Sequence, residues 1–335
     1  MEDLKLRIAE SVKKAQQEPV LIEELYTGTE QVKKNQFLFF IKPEITQKLP
    51  SIKFLDILNL IFDKLDEFGF TINSVRLLGA KYLNEYDVIA QHYGVINQLS
   101  RNAFDNFNSK SKQKFEEIFN QTAEKDKIWG SLQFLEKHKE FTAELLNAKW
   151  VDSKGYKLGG GTYICRMNIN DKEYFVVNGF HPLQLEHFTK QGRSIVAFTI
   201  TSDTDWSVAR NDFIGATNPT SANPGSLRKI LLEKMGRLGL PEIDGSKNGV
   251  HLSAGPVEAL VELIRFNSDL SNNTKLSYKD FRFGDMLSET FPFPVLDKIL
   301  SNATVLTGDQ HISVFDLTEE KNSMEAIGIL RDANF

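Results

Sequence analysis

The sequence predicts an α+β fold in which strands and helices alternate along the chain. Residues 36–41 (QFLFFI) form a continuous apolar run that is short enough to be a buried strand, and Pro43 closes it. From 52 to 68 the apolar residues recur with helical spacing, and Gly69 ends the run. Residues 71–78 then alternate loosely between apolar and polar, as a half-buried strand does.

The same kinds of pattern predict the remaining elements. Leu4, Ile8 and Val12 recur every four residues in a polar, helix-favouring segment, so one stripe of a surface helix is expected there. β-Branched and aromatic runs flank the turn residues 170–172, which is typical of a hairpin. The other elements predicted from such patterns are helices at 81–93, 256–266 and 285–300, a strand at 311–315, and a polar helical stretch at 102–147 followed by a strand-like stretch at 150–180.

The composition is that of an ordinary globular protein. The 335 residues are 41% hydrophobic and 25% charged, and at roughly 150 residues per domain they supply one elaborated domain or two. A net charge of −5 provides no basic field for nucleic acid, so any affinity for phosphate must be local. The single cysteine, Cys165, excludes an internal disulfide framework. Without an evident signal peptide or a bilayer-spanning apolar stretch, we expect a cytoplasmic chain with no membrane partner.

Three segments carry residue types that suit phosphate chemistry. His251 lies at a predicted strand end, and Glu262 follows eleven residues later on the predicted helix. Arg210 and Arg228 bracket a loop punctuated by Pro and Gly, while Lys42 lies at another strand end. Guanidinium and ammonium groups bind phosphate oxygens, and a carboxylate can fix the tautomer of a histidine that acts on phosphate.

Taken in order, the segments FLFFIKPE, RNDFIGATNPTSANPGSLR and NGVHLS resemble the nucleoside diphosphate kinase family. That family has a strand running into Lys-Pro-Asp, a loop with Gly-x-Thr-Asn-Pro, Lys-Pro-Gly and a later Arg, and finally Asn-x-x-His-x-Ser and a Glu. The resemblance implies a ferredoxin-like βαββαβ sandwich, with an antiparallel sheet and helices, including core strands at 194–200 and 250–252 and a short helix at 203–210. It also implies a phosphotransferase that moves the γ-phosphate of a nucleoside triphosphate to a nucleoside diphosphate through a phosphohistidine, with ping-pong kinetics.

The resemblance also implies roles for individual residues. His251 would be the nucleophile and Glu262 would orient it, and Phe180 or His181 would lie against the base with Leu185 beside it. The family assembles as hexamers or tetramers built from a dimer, so a homo-oligomer is expected and a dimer is favoured. Magnesium would arrive with the nucleotide, because that ion usually bridges phosphates. The implied catalytic set is Lys42, Tyr93, His251, Ser253 and Glu262, and the nucleotide-binding set is Lys42, Phe180, His181, Leu185, Arg210, Thr217, Arg228 and Asn248.

The chain departs from the family pattern in several places. Glu44 stands where the family has Asp, and Ala254 also replaces an Asp, while Leu252 replaces a Gly. One extra residue separates Arg210 from Gly215. A long insertion follows the pair His92-Tyr93. The predicted organisation is an N-terminal helical appendage at 1–34, a kinase-like domain at 35–101 and 179–266, an inserted helix-plus-hairpin subdomain at 102–178, and a C-terminal extension at 267–335.

Other interpretations remain open at this stage. The fold can keep nucleotide binding and act as a sensor or interaction module, with the insertion supplying the partner surface. Gly159-Gly160-Gly161-Thr162 lacks the Gly-Lys-Ser/Thr ending of a P-loop, so it is interpreted as a turn that enters a strand. His181 and His187 do not share one helical face at i,i+6 spacing, so no metal site is predicted there.

Overall fold

The computed structural model describes residues 1–29, 31–169, 172–308 and 310–335. These residues form two compact units. Met1–Tyr86 and Gln191–Phe335 make the first, and Asp87–Lys190 makes the second. Helices and mainly antiparallel sheets build the chain, which confirms the α+β class. Within the described ranges, no helix has both the length and the apolar character that a bilayer crossing requires. The domain boundaries given above stay predictions.

Strands and helices are numbered here in chain order. The strands are β1 (Ile22–Thr27), β2 (Asn35–Ile41), β3 (Thr71–Gly79), β4 (Ile128–Gly130), β5 (Gly155–Gly159), β6 (Thr162–Ile169), β7 (Lys172–Val177), β8 (Ser194–Ser202), β9 (Val250–Leu252), β10 (Thr304–Thr307) and β11 (Gln310–Ser313). The α-helices are α1 (Glu2–Ala15), α2 (Pro43–Thr46), α3 (Phe54–Glu67), α4 (Ala80–Glu85), α5 (Val88–His92), α6 (Gly94–Arg101), α7 (Ala103–Asn106), α8 (Ser109–Phe119), α9 (Ser131–Lys137), α10 (Ala143–Asp152), α11 (His181–Thr189), α12 (Trp206–Val208), α13 (Leu227–Glu233), α14 (Met235–Leu238), α15 (Pro256–Asn267), α16 (Arg282–Thr290), α17 (Phe293–Leu300), α18 (Val314–Thr318) and α19 (Ser323–Arg331). Short 3-10 helices cover Pro219–Ser221, Leu270–Asn272 and Tyr278–Asp280, and a π-helix covers Ala209–Ile214.

The first unit is built on a five-stranded sheet with the order β1-β3-β8-β2-β9, in which every pair is antiparallel. Strand β2 has two buried faces. Phe37 and Phe39 enter the main hydrophobic core with α1 and α3, whereas Phe40 lies on the other face against Phe266 of α15. Burial on both faces explains why this strand reads as a continuous apolar run and not as an alternation.

The N-terminal segment contributes more to this unit than the sequence predicts. The predicted helix is present as α1, but Leu4, Ile8 and Val12 are at most 5% exposed and belong to the main core. The segment also supplies β1, which was not predicted. Leu25 is the only fully buried residue of this edge strand, and a bulge interrupts its pairing with β3, so its sequence has no clear alternation.

The second unit contains a four-stranded sheet with the order β4-β7-β6-β5. The predicted hairpin is present as β6 and β7, although Asn170 and Asp171 of its turn lie outside the described residues. The glycine-rich stretch at 159–161 joins β5 to β6, which confirms the turn interpretation. Strand β5 lies within the predicted strand-like stretch, whereas β4 interrupts the predicted helical stretch and was not predicted. Trp150, expected in the strand-like stretch, belongs to α10.

Two predicted helices are each broken into two. The helix expected at 81–93 is α4 followed by α5, because Asp87 adopts a left-handed backbone conformation with φ of 52°. The helix expected at 285–300 is α16 followed by α17, because Pro292 at the break has no amide hydrogen for a continuous helix. The strand expected at 311–315 is present as β11, paired with β10.

Helix α15 is anchored at its C-terminal end by a buried arginine. Arg76 of β3 is 8% exposed, and its Nη1 donates to the carbonyl oxygens of Phe266 and Ser268 at 3.2 and 3.3 Å. Its Nε donates to Glu24 of β1. The terminal carbonyls of a helix need such donors, so Arg76 ties α15 to the sheet. Helices α16 to α19 of the C-terminal segment also pack against α15.

We expect Arg76→Met to destabilise the chain, because the two carbonyls lose their donor and Glu24 loses its partner. The expected loss in the free energy of unfolding is about 1–3 kcal/mol. Urea unfolding measures it, with Arg331→Met as a control because Arg331 is exposed on α19. Equal stability of the two variants would contradict an anchoring role for Arg76.

Candidate active site

His251 lies on β9, at an edge of the sheet of the first unit. Its register is opposite Phe40 of β2, and the two rings stack with centroids 4.4 Å apart at an angle of 19°. Gly249 comes just before the strand, and its carbonyl oxygen accepts from Lys42 N at 2.9 Å. Its φ of 83° suits glycine, and a Cβ there would lie 2.6 Å from Leu231 Cδ1. The strand therefore enters this register through a turn that favours glycine.

The side chain of His251 is hydrogen-bonded to a buried carboxylate. Its Nε2 is 2.9 Å from Glu262 Oε1, and the exposed fractions of the two side chains are 17% and 2%. The hydroxyl of Ser253 donates to Glu262 Oε2 at 2.5 Å. Helix α15 begins at Pro256, and the eleven-residue spacing brings Glu262 beneath β9. The predicted contact between His251, Glu262 and Ser253 is therefore present.

Lys42, Asn248 and Thr217 form a second connected group. Lys42 Nζ donates to Asn248 Oδ1 at 2.7 Å, and Asn248 Nδ2 donates to the carbonyl of Thr217 at 3.0 Å. Burial lowers the pKa of Lys42 to about 8, with a smaller lowering contribution from the charge of Arg228 and an opposing contribution from Glu44. An amine in this environment is stabilised in its charged form by any anion that comes close to it.

The two predicted phosphate-binding arginines both donate to the backbone of β9. Arg228 is 3% exposed, with Nη1 donating to Gly215 O at 2.8 Å and Nη2 to Val250 O at 3.0 Å. Arg210 Nη1 donates to Leu252 O at 2.9 Å. The arginines thus bind carbonyls on either side of His251, and Arg228 also fixes the loop at Gly215.

The extra residue between Arg210 and Gly215 has a structural explanation. The segment Ala209–Ile214 is a π-helix, and Gly215 N donates to Arg210 O at 3.2 Å across five residues. A π-turn holds one residue more than an α-turn, so the additional residue is absorbed locally. Arg210 lies at the start of this π-helix and reaches Leu252 O of β9.

Three charged residues near His251 were not among the predicted site residues, although Glu44 was noted as a departure from the family pattern. Glu44 is 1% exposed and its Oε1 accepts from Gly249 N at 2.7 Å. Glu258 lies one turn before Glu262 on α15, and its Oε2 accepts from Ala254 N at 3.0 Å. Burial lowers the pKa of Arg265, against the charges of Glu262 and Glu258. Glu258, Glu262 and Arg265 are spaced i, i+4 and i+7 on α15, so they share one face of the helix. This spacing could have identified Glu258 and Arg265 from the sequence.

The remaining predicted residues, Tyr93, Phe180, His181 and Leu185, belong to the second unit. His181 is fully buried, with Nδ1 3.1 Å from Gln184 Oε1 and Nε2 3.3 Å from Asn97 Oδ1, and burial lowers its pKa. Phe180 precedes α11 and its ring is 5.4 Å from that of Trp150. The ring of Tyr93 lies 6.1 Å from that of His181, and Leu185 is half-buried on α11. Their contact with a nucleotide stays a prediction.

Comparison of the sequence with models of known protein families gives no match. A search of curated proteins gives no significant match either.

Proposed function

We propose that the chain is a nucleoside diphosphate kinase-like phosphotransferase that works through phosphorylated His251. The observation that carries this proposal is the hydrogen-bonded group of His251, Glu262 and Ser253 at the end of β9, in the same unit as Lys42 and Asn248. These five side chains come from the end of β2, the segment around β9 and α15, and they follow one another along the chain in the order of the family pattern.

The proposed chemistry follows from the hydrogen bond of Nε2. When the Nε2 proton is donated to ionised Glu262, the lone pair of the imidazole is on Nδ1. Nδ1 would attack the γ-phosphorus of a nucleoside triphosphate, and the bond to the leaving diphosphate would break. A β-phosphate oxygen of a second diphosphate would then attack the phosphorus and release neutral His251. Glu262 would stabilise the positive charge on the ring between the two steps.

Magnesium is proposed to arrive with the nucleotide. The carboxylates of Glu44 and Glu262 already accept hydrogen bonds from Gly249 N and the Ser253 hydroxyl. Phosphate oxygens and water suit this ion better than two carboxylates that are already hydrogen-bonded. When bound, the ion would neutralise charge on the phosphates, while Lys42 would supply positive charge from the protein.

We also propose a ferredoxin-like topology for the core of the first unit. Without the edge strand β1, the sheet order is β3-β8-β2-β9, and all neighbours are antiparallel. In chain order β2 is the first of these strands, so the spatial order is second, third, first and fourth. This order, with α3 between the first two strands, supports a βαββαβ arrangement.

A nucleotide-binding sensor or interaction module is the second candidate. Arg228 and Arg210 donate to carbonyls of Gly215, Val250 and Leu252, and Arg210 also lies 3.8 Å from Glu319 Oε1. Because these guanidinium groups already bind carbonyl and carboxylate oxygens of the protein, they favour a structural role for the two arginines over binding of phosphate. Such a module would bind nucleotide without forming a phosphoenzyme.

The deciding experiment is intact-mass analysis after incubation with ATP and magnesium. Wild type is expected to gain one phosphate, and a nucleoside diphosphate should remove it. His251→Ala is expected to gain none because it lacks the nucleophile. His311→Ala, which replaces an exposed histidine of β11, should behave like wild type. Nucleotide binding to wild type without phosphorylation would overturn the kinase proposal in favour of the sensor.

A further inference from the structure

The loop that follows His251 is held by the C-terminal segment of the chain. This segment comes after α15 and belongs to the first unit. The backbone amide of Glu320 donates to the carbonyl oxygen of Ala254 at 2.9 Å. A Cβ on Gly255 would lie 2.4 Å from the carbonyl oxygen of Thr318, so the two backbones are in direct contact. The C-terminal segment therefore lies against the chain just after His251.

Two backbone features fix this contact. Glu320 has a φ of 58°, a left-handed conformation that a glutamate seldom adopts and keeps only where the surrounding structure holds it. Thr318 is fully buried, and its hydroxyl donates to Val314 O at 2.9 Å. Gly255 has a φ of −159°, which any residue adopts, so its lack of a Cβ matters only for the approach of Thr318.

Asn322 connects the same segment to the loop through Trp206. The side-chain oxygen of Asn322 accepts from Trp206 N at 3.0 Å and from Asn35 Nδ2 at 2.8 Å. Its side-chain nitrogen donates to Asp205 Oδ1 at 2.9 Å. Trp206 is fully buried, and its ring nitrogen Nε1 donates to Ser253 O at 3.1 Å. One amide side chain thus uses its oxygen and its nitrogen to hold the residues that support Ser253.

Ser253 is the residue through which these contacts reach the proposed nucleophile. Its hydroxyl donates to Glu262 Oε2, while Glu262 Oε1 lies next to His251 Nε2. Strand β2 holds Ser253 on one side, because Ser253 N donates to Leu38 O at 3.1 Å, and Trp206 holds its carbonyl. Since the hydroxyl fixes the second carboxylate oxygen, the orientation of Glu262 toward the ring depends on the position of Ser253.

We propose that the segment 318–322 is part of this site and that Asn322 is a positioning residue for His251. It acts through Trp206 and Ser253, which keep Glu262 turned toward Nε2. The role in phosphoryl transfer rests on the proposed phosphotransferase function. The partners of the Asn322 side chain described above are not among the residues proposed to bind nucleotide. We therefore expect its loss to slow phosphoryl transfer and to leave nucleotide affinity unchanged.

The first test records the tautomer of His251 without any ligand. Nitrogen NMR of the full chain labelled at histidine distinguishes the two ring nitrogens, and His251→Ala identifies the signals among the six histidines. In wild type the proton is expected on Nε2, because Glu262 holds it there. Asn322→Ala should bring the chemical shifts of Nε2 and Nδ1 closer together, because a carboxylate that can rotate permits both tautomers.

The second test compares phosphorylation with nucleotide binding in the full chain. Time-resolved intact mass with saturating ATP and magnesium should show that Asn322→Ala is phosphorylated about tenfold to a hundredfold more slowly, the scale on which a small misplacement of reacting groups acts. Calorimetric affinity for ADP should stay close to that of wild type. Asn322 is also the N-cap residue of α19, so a change in stability alone would not test this role.

A paired exchange should restore the contact. Asp205→Asn together with Asn322→Asp reverses donor and acceptor between the two side chains, keeps an oxygen for Trp206 N and leaves the total charge unchanged. This double variant should regain the wild-type ring signals and most of the rate. Asn322→Asp alone should regain neither, because it brings two carboxylates together. Asn334→Ala makes the same change as Asn322→Ala at an exposed position and should match wild type.

Gly255→Ala tests the backbone contact independently and serves where Asn322→Ala does not fold. Its new Cβ would displace Thr318 O from the loop without a demand on φ. We expect it to change the ring signals and the rate in the same direction as Asn322→Ala.

The outcomes separate the two proposals. Wild-type ring signals in Asn322→Ala, or a wild-type rate, would overturn the positioning role and leave the phosphotransferase in place. A fall in ADP affinity as large as the fall in rate would also overturn it, because the residue would then support the fold in general. No phosphoenzyme in wild type would overturn the proposed function, and the ring signals alone would then decide whether Asn322 positions His251.

Discussion

Replacement of Glu262 by glutamine is expected to slow phosphorylation of His251 by about 10²–10⁴-fold. Glutamine keeps the size of the side chain but removes the negative charge that would stabilise the ring after it accepts a phosphoryl group. When the amide nitrogen faces the ring, Nε2 must become the acceptor. The proton then moves to Nδ1, the proposed attacking atom, which can no longer act as a nucleophile.

The rate is measured by time-resolved intact mass with ATP and magnesium. Affinity for ADP should change little, because glutamine preserves the packing of α15 and can still accept from Ser253. Glu289→Gln on α16 is the matched control, since it makes the same chemical change at an exposed position. Phosphorylation of Glu262→Gln within about tenfold of the wild-type rate would exclude the orienting role.

Gly249→Ala is expected to lower the stability of the chain substantially. The new Cβ would lie 2.6 Å from Leu231 Cδ1 and 2.9 Å from Ile45 Cδ1, both in the main core. The backbone φ of 83° is also unfavourable for alanine. Left-handed strain and overpacking together should lower the free energy of unfolding by about 2–4 kcal/mol.

Gly245→Ala provides the comparison for this variant. Gly245 lies in the same loop, has no atom within 4 Å of its Cβ position, and does not share the left-handed backbone. We expect its midpoint of thermal unfolding to stay close to that of wild type, while that of Gly249→Ala falls. If the two variants have the same midpoint of thermal unfolding, the left-handed conformation of Gly249 is not required for the turn into β9.

Local patterns were sufficient for elements with strong periodicity. β2 was predicted from a continuous apolar run, and α3, β3 and α15 were predicted because their apolar residues recur with strand or helix spacing. β8 was placed by the resemblance to the kinase family. β1 was missed because an edge strand buries little and its bulge breaks the alternation. The helix breaks at Asp87 and Pro292 were missed because apolar spacing continues across both.

The candidate site, like the fold, could be predicted only in part from the sequence. The pairing of His251 with Glu262 was predicted because the resembling family has its orienting glutamate at this eleven-residue spacing, which a strand, a turn and a helix convert into a contact. The partners of Arg210 and Arg228 are backbone carbonyls of β9, and no sequence pattern identifies a backbone acceptor. The raised pKa of Glu258 comes from burial and from the nearby charge of Glu262, and only the fold creates that environment.

The position of the second unit in the chain has an evolutionary consequence. Strands β3 and β8 are hydrogen-bonded neighbours, with Gly79 opposite Ser194, and the second unit lies between them in sequence. The chain therefore leaves and rejoins the first sheet at adjacent points. Since the entropic cost of closing a connection grows only with the logarithm of its length, one recombination event could add or remove this segment while the gene still encoded an intact sheet. Lineages that share the β3–β8 register are therefore expected to vary most in what lies between these strands.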